Sequence, residues 1–336
     1  VVMEQMEEFR PDVLEAFQGL LATGGVELLG ETYYHSLASI YSADEFERQV
    51  ELHRGAAQSL FGLTPTVFRN TELIYNNRIA AAVEELGFEG ILAEGVPWIL
   101  GGESPNHLCR SPGASRIRTL LRHASLSDDL AFRFSDRNWK EYPVTPRKFL
   151  GWLQGLSGEI VNLFMDFESI GEHQWEDSGI FRFWESFVPL ALDHGVEFVS
   201  PSDAVQRFHP RFVYDCHPPT SWADGERDLS AWLGNVMQQE AARKLHLMEE
   251  AVLNSRNPRL LESWSRLLSS DHLHYMSTKG GTDGMVHDYF SPYQAPHDAY
   301  IFFMNALADL QVHLDRVTAR EGRSRSEPEM SVEIAG

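Results

Sequence analysis

Two short stretches place ionisable side chains directly behind apolar runs. In FRNTELIY (68–75) Arg69, Asn70 and Glu72 follow a strand-like segment, and in FMDFESIGEHQW (164–175) Asp166 and Glu168 follow the most hydrophobic run of the chain. In parallel barrels the reactive groups stand at the C-terminal ends of strands. A carboxylate at such a position is desolvated unless paired, so it is satisfied structurally or it is reactive. Two of them on separate strands of one barrel suit the carboxylate pair of glycoside cleavage, although each taken singly can equally be structural. Flat rings in polar contexts suit the same chemistry, because they stack on sugar faces. Trp98, Trp175, Trp222, Tyr33, Tyr34, Tyr75 and Tyr275 are in such contexts, and Trp175 follows the polar cluster Glu172, His173 and Gln174. Any one of these rings has core or rim packing as its alternative role.

Other clusters carry less. Asp271, His272 and His274 in SSDHLHYMSTKGG (269–281) resemble metal ligands in type, but no second cluster stands at zincin-like spacing. Hydrogen bonding to a polyol fits them better, and no metal or cofactor is implied. The glycine pairs at 101–102 and 280–281 belong to no strand, Gly-rich turn and helix unit, which argues against dinucleotide binding.

The elements that must hold these residues alternate. GVELLG (25–30), TVFRN (66–70), GILAEG (90–95), IRTLLRH (117–123), LAFRFS (130–135), IVNLFMDF (160–167) and VEFVS (196–200) read as strands. Between them, helical patterns run from about Ser42 to Phe61, Arg78 to Leu86, Thr145 to Leu156 and Gly179 to His194. Ser42 with Glu45 makes a capping box, and Pro146 stands in a first turn. This order predicts a parallel α/β barrel or a doubly wound sheet. Beyond about Pro210 the apolar spacing becomes helical throughout: 228–254, a helix opened by Asn257 and Pro258, and one from about His297 to Val317. The expected organisation is a barrel over 1–219, a helical region over 220–318 and a disordered tail over 319–336.

Composition narrows the function. The 336 residues are 43% hydrophobic, enough for one large domain or two ordinary ones, and 28 basic against 49 acidic residues give a net charge of −21. Such a surface repels phosphate backbones and anionic lipid, which disfavours nucleic-acid and membrane-surface roles. Two cysteines, Cys109 and Cys216, form no disulfide framework, so a reducing, cytoplasmic compartment is the simplest expectation. No apolar run approaches the roughly 20 residues needed to span a bilayer.

Taken together, four ordered segments resemble the signature regions of glycoside hydrolase family 57, the α-amylase and 4-α-glucanotransferase family, in its α-amylase-like branch. GVELLGETYYHSLAS (25–39) is similar to the second region, FRNTELIYNN (68–77) to the third, MDFESIGEHQW (165–175) to the fourth and SSDHLHYMSTKGG to the fifth. The resemblance implies an irregular (β/α)7 TIM-like barrel followed by an α-helical domain. It implies a retaining mechanism on α-1,4-glucans, with Glu72 as nucleophile and Asp166 as general acid/base. Glu31, His35, Arg69, Glu168, His173, Trp175, Asp271 and His274 become substrate-binding candidates. Asp166 is expected to hold a raised pKa from burial and the nearby Glu72, and Arg69 to keep Glu72 charged. A 4-α-glucanotransferase and a non-catalytic glucan-binding protein are the alternatives. The family's first region, a His-Gln-Pro triplet on the first barrel strand, does not occur in these residues. The resemblance therefore implies an N-terminally incomplete catalytic domain whose opening strand lies upstream of Val1.

Overall fold

The computed structural model describes residues 1–280 and 291–326, with side chains through residue 319. The chain divides into two compact units. The first comprises Val1–Glu31 and Val50–Trp222, and the second Thr32–Gln49 and the residues from Ala223 onward. The boundary at Gln49 and Val50 falls inside the helix Ala43–Phe61.

The first unit is built on a sheet of β1 (Val67–Arg69), β2 (Gly90–Glu94), β3 (Cys109–Arg110), β4 (Arg118–Arg122) and β5 (Phe212–Val213), in the order β1-β2-β4-β3-β5. β1, β2 and β4 run parallel, with Arg69 beside Leu92 and Glu94 beside Arg122. β2 is buried along its whole length, as expected of a parallel strand covered on both faces. Single parallel bridges extend the pattern on either side, Gly30 to Phe68 and Arg122 to Asn162. β3 is antiparallel to β4 and parallel to β5. Helices Asn77–Glu85, Ala124–Ala131, Pro146–Gln154, Ile180–Asp193 and Pro201–Arg207 fill the crossovers.

Two apolar clusters explain which side chains face which way. One gathers Val67, Leu73, Leu92, Leu108, Leu120, Ala204 and Val205, with Ile160 and Phe164 packed against it. The other, around Phe149, Phe183 and Phe187, takes the opposite parity of the 160–165 segment, Val161, Leu163 and Met165.

Four of the expected strands differ from the structure. LAFRFS is the end of the helix Ala124–Ala131 and the turn after it, because Leu126, Leu130 and Phe134 bury at a spacing of four. GVELLG contributes one bridge, at Gly30, where a side chain would strike the Phe88 ring at 2.5 Å. The 160–167 segment is half-buried and makes one bridge because side chains take the ladder's bonds. Asn162 Nδ2 donates to the Leu121 carbonyl, Arg122 Nε to the Phe164 carbonyl, and the Phe164 amide to Ser127 Oγ. VEFVS makes no ladder, and its Phe198 is exposed.

In the second unit the helices are Ser230–Leu233, Val236–Leu247, Glu249–Asn254, Pro258–Leu267, Ser270–His274 and Pro296–Ser326, so the expected 228–254 helix is three shorter ones and Ser270–His274 was not expected. Asn257 caps the fourth of these, accepting from the Arg259 and Leu260 amides. The last helix continues eight residues past 318, into the stretch expected to be disordered, and residues 327–336 lie outside the described part. Among the described residues, no helix is long and apolar enough to cross a membrane.

Candidate active site

Strand parity decides what stands at the C-terminal ends. Alternate residues share a face, so on each strand a polar residue follows an interior apolar one two positions on. Val67 is followed by Arg69, Leu92 by Glu94, Leu120 by Arg122, and Phe164 by Asp166. A charged rim therefore ends β1, β2 and β4 above an apolar layer, and Asp166 follows Phe164 at the same spacing on the 160–167 segment.

Glu72 reaches the same end differently. After Arg69 the chain turns, and Glu72 (φ 56°, ψ 27°) and Leu73 (φ 51°) both adopt left-handed backbone. For non-glycine residues this costs roughly 1–2 kcal/mol each. The turn sends Leu73 into the apolar cluster, and Asn70 braces it by donating from Nδ2 to the Ile74 carbonyl at 2.9 Å. The segment 220–222 lies alongside. Tyr75 and Thr220 exchange backbone hydrogen bonds at 2.9 Å, and the Trp222 amide donates to the Glu72 carbonyl at 3.3 Å. The Trp222 indole Nε1 then donates to Glu72 Oε2 at 2.8 Å. The guanidinium of Arg69 lies 4.7 Å from the centre of the Trp222 ring and that of Arg122 lies 5.7 Å from it.

Arg69 forms its ion pair with Glu31 at 3.7 Å and meets the support of Glu72 through Trp222. Arg69 thus reaches the surroundings of Glu72 through the indole. Burial lowers the pKa of His53, with Glu31 opposing that shift. Beneath the rim, Glu94 is fully buried and accepts from Arg122 Nη1 at 3.2 Å. Burial also pushes the Tyr214 phenol well up, so it stays protonated and donates to the Glu94 carbonyl at 2.9 Å.

Asp166 is half-buried and opens a short turn over Phe167–Ser169. The Glu168 carbonyl accepts from the amides of Glu172 and His173, and Gly171 (φ 112°) makes the reversal that a side chain would oppose. Gln174, buried, ties this loop to the Ala131 carbonyl at 3.0 Å. Phe167 and Trp175 are exposed, and the His173 ring lies 6.3 Å from Phe132. Glu31, Arg69, Glu72, Asp166, Glu168, His173 and Trp175 thus all belong to the first unit.

His35, Asp271 and His274 belong to the second unit. His35 has left-handed backbone (φ 50°), and its carbonyl accepts from the Ser270 amide at 2.8 Å. Ser36 bridges Ser269, Ser269 Oγ donates to Asp271 Oδ2 at 3.0 Å, and His274 lies 6.1 Å from the Trp232 ring. The second and fifth signature-like segments therefore meet; Gly281, the last residue of the fifth, lies outside the described residues. Among the described residues, no group of three His, Cys, Asp or Glu side chains is disposed to hold a metal.

The family description Glycosyl hydrolase family 57 matches residues 1–217. The chain belongs to that family. It is 42% identical over 332 residues to a protein of Methanocaldococcus jannaschii with a provisional α-amylase name, covering 95% of this chain and 71% of that one. Among solved structures, the family 57 branching enzyme of Thermococcus kodakaraensis, crystallised with glucose, superposes with a TM-score of 0.67 at 16% identity, over 94% of this chain and 71% of that one. The 4-α-glucanotransferase of Thermococcus litoralis gives 0.62 at 18% identity, over 80% of this chain. This chain spans 47% of the length of the glucanotransferase. These likenesses establish the TIM-like barrel fold, and family membership makes the protein an enzyme of the glycoside hydrolase/transferase class. Glu94 and Arg122 were not among the site candidates read from the sequence, and Trp222 was read only as a ring suited to stack on sugar. Parity would have marked the first two, since each ends its strand two residues after an interior leucine.

Proposed function

We propose that this family 57 chain acts on α-1,4-glucans as a retaining, α-amylase-like hydrolase, with Glu72 as the nucleophile and Asp166 as the general acid/base. The observation that supports this reading is the hydrogen bond from Trp222 Nε1 to Glu72 Oε2, just beyond the C-terminal end of β1. A donor on one carboxylate oxygen fixes the orientation in which the carboxylate meets the anomeric carbon. In the first step Glu72 bonds to the anomeric carbon while Asp166 gives its proton to the departing glycosidic oxygen. In the second, Asp166 takes a proton from water, whose oxygen displaces Glu72 and restores the original anomeric configuration. Glu31, Arg69, Glu168, His173 and Trp175 serve the sugar around this pair, and His35, Asp271 and His274 are glucan-contact candidates within the second unit. The provisional α-amylase name of the M. jannaschii relative supports the substrate class.

The test is product analysis on maltoheptaose with Glu72→Gln as the control. Shorter oligomers alone are expected from the parent protein. The variant is expected to lose turnover by at least about a thousandfold while keeping its melting temperature, because the amide is nearly isosteric. Longer oligomers would make the protein a transferase. Undiminished cleavage by the variant would refute Glu72 as nucleophile.

A further inference from the structure

Arg122 takes no chemical step in the proposed reaction, yet it is held more firmly than the rim charges beside it. Its side chain is 4% exposed. Nε donates to the Phe164 carbonyl at 2.8 Å, Nη1 to Glu94 Oε2 at 3.2 Å, and Nη2 to Asp128 Oδ1. A planar fork with donors on three sides can satisfy these partners together, which a single ammonium cannot. Two of the partners are fixed in turn. Glu94 ends the fully buried β2, in register with Arg122, and Asp128 stands on the helix that directly follows β4. The third is the carbonyl two residues before Asp166, on a segment with a single backbone bridge to the sheet. The Arg122 grip therefore replaces ladder bonds where the chain delivers Asp166.

We propose that Arg122 is a positioning residue for the general acid: braced by Glu94 and Asp128, it sets the height and direction at which the Phe164–Asp166 segment presents the carboxyl to the leaving oxygen. This rests on the reading of Asp166 as the acid. Its neighbour Trp222 carries Glu72, so the same guanidinium borders the supports of both carboxylates.

Arg122→Lys keeps a charge for Glu94 and loses the fork. The readout is kcat/KM, which reports steps through formation of the glycosyl-enzyme, on maltoheptaose and on an aryl maltotrioside whose good leaving group needs little protonation. The variant is expected to lose at least about 30-fold on maltoheptaose and less than about fivefold on the aryl substrate. A purely structural role would lower both alike. In an Asp166→Asn background, adding Arg122→Lys should cost less than about threefold, because a residue acting through Asp166 has little left to position. Equal losses on the two substrates, or full additivity with Asp166→Asn, would overturn the inference. If Asp166→Asn itself shows no dependence on the leaving group, the acid assignment fails and the inference with it. If Asp166→Asn shows that dependence and Arg122→Lys does not, the Arg122 role alone fails. Should Arg122→Lys not fold, Asp128→Asn, which removes one brace and leaves the Glu94 pair, is expected to show the same substrate dependence at about 3–10-fold. Its absence would overturn the inference equally.

Discussion

Trp222 shows how one side chain can orient another 150 residues away. Its indole donates to Glu72 Oε2 at 2.8 Å while its face receives Arg69. Trp222→Phe keeps the face and removes the donor. Losing a hydrogen bond to a charged group, at roughly 1.5–3 kcal/mol, is expected to lower kcat by about 10- to 100-fold with KM within threefold. Steady-state kinetics on maltooligosaccharides checks this, and an unchanged kcat would show that the indole bond does not orient the nucleophile. At this scale it was legible that Glu72 and Asp166 each follow an apolar run, and their catalytic roles are proposals. The partner of Glu72 was not legible, since no local pattern links position 72 to position 222.

The ends of neighbouring strands, more than any single group, hold the rim in place. Gly95 follows β2, and a Cβ there would stand 2.6 Å from the Arg122 carbonyl oxygen and 3.1 Å from Pro105. Gly95→Ala must therefore push the ends of β2 and β4 apart, at a cost of about 1–3 kcal/mol. The melting temperature should fall and kcat with it; calorimetry and kinetics showing neither would mean that the strand ends tolerate separation. β1, β2 and β4 were legible because parallel strands buried on both faces read as continuous apolar runs. The 160–167 segment has that composition without the ladder, because Asn162 and Arg122 side chains occupy the backbone carbonyls. LAFRFS was misread for a related reason: Leu130 and Phe134 also fit a spacing of four, which a six-residue window does not separate from alternation.

Over the whole molecule, burial keeps several histidines neutral. It lowers the pKa values of His53, His123 and His272, and that of His246 to about 4, against an ordinary value of 6.5. As pH falls below about 6.5 the unfolded chain takes up protons that the folded chain refuses, so stability present above that pH is lost on acidification. The melting temperature is expected to drop by several degrees from pH 7.5 to pH 5; a flat profile would contradict neutral burial of these rings. The change to helical periodicity near Pro210 was legible in the sequence. That residues 32–49 group with the second unit was not, because it rests on pairings such as Arg48 Nη2 to Ser265 Oγ and Ser36 to Ser269, more than two hundred residues apart in sequence. The most direct test of the proposed chemistry is to trap the covalent sugar. With a 5-fluoro maltosyl fluoride, which forms a glycosyl-enzyme faster than water releases it, peptide mass spectrometry should find the added sugar on Glu72 and lose it in Glu72→Gln. Label on another carboxylate, or an unlabelled protein that releases products of inverted anomeric configuration, would contradict it.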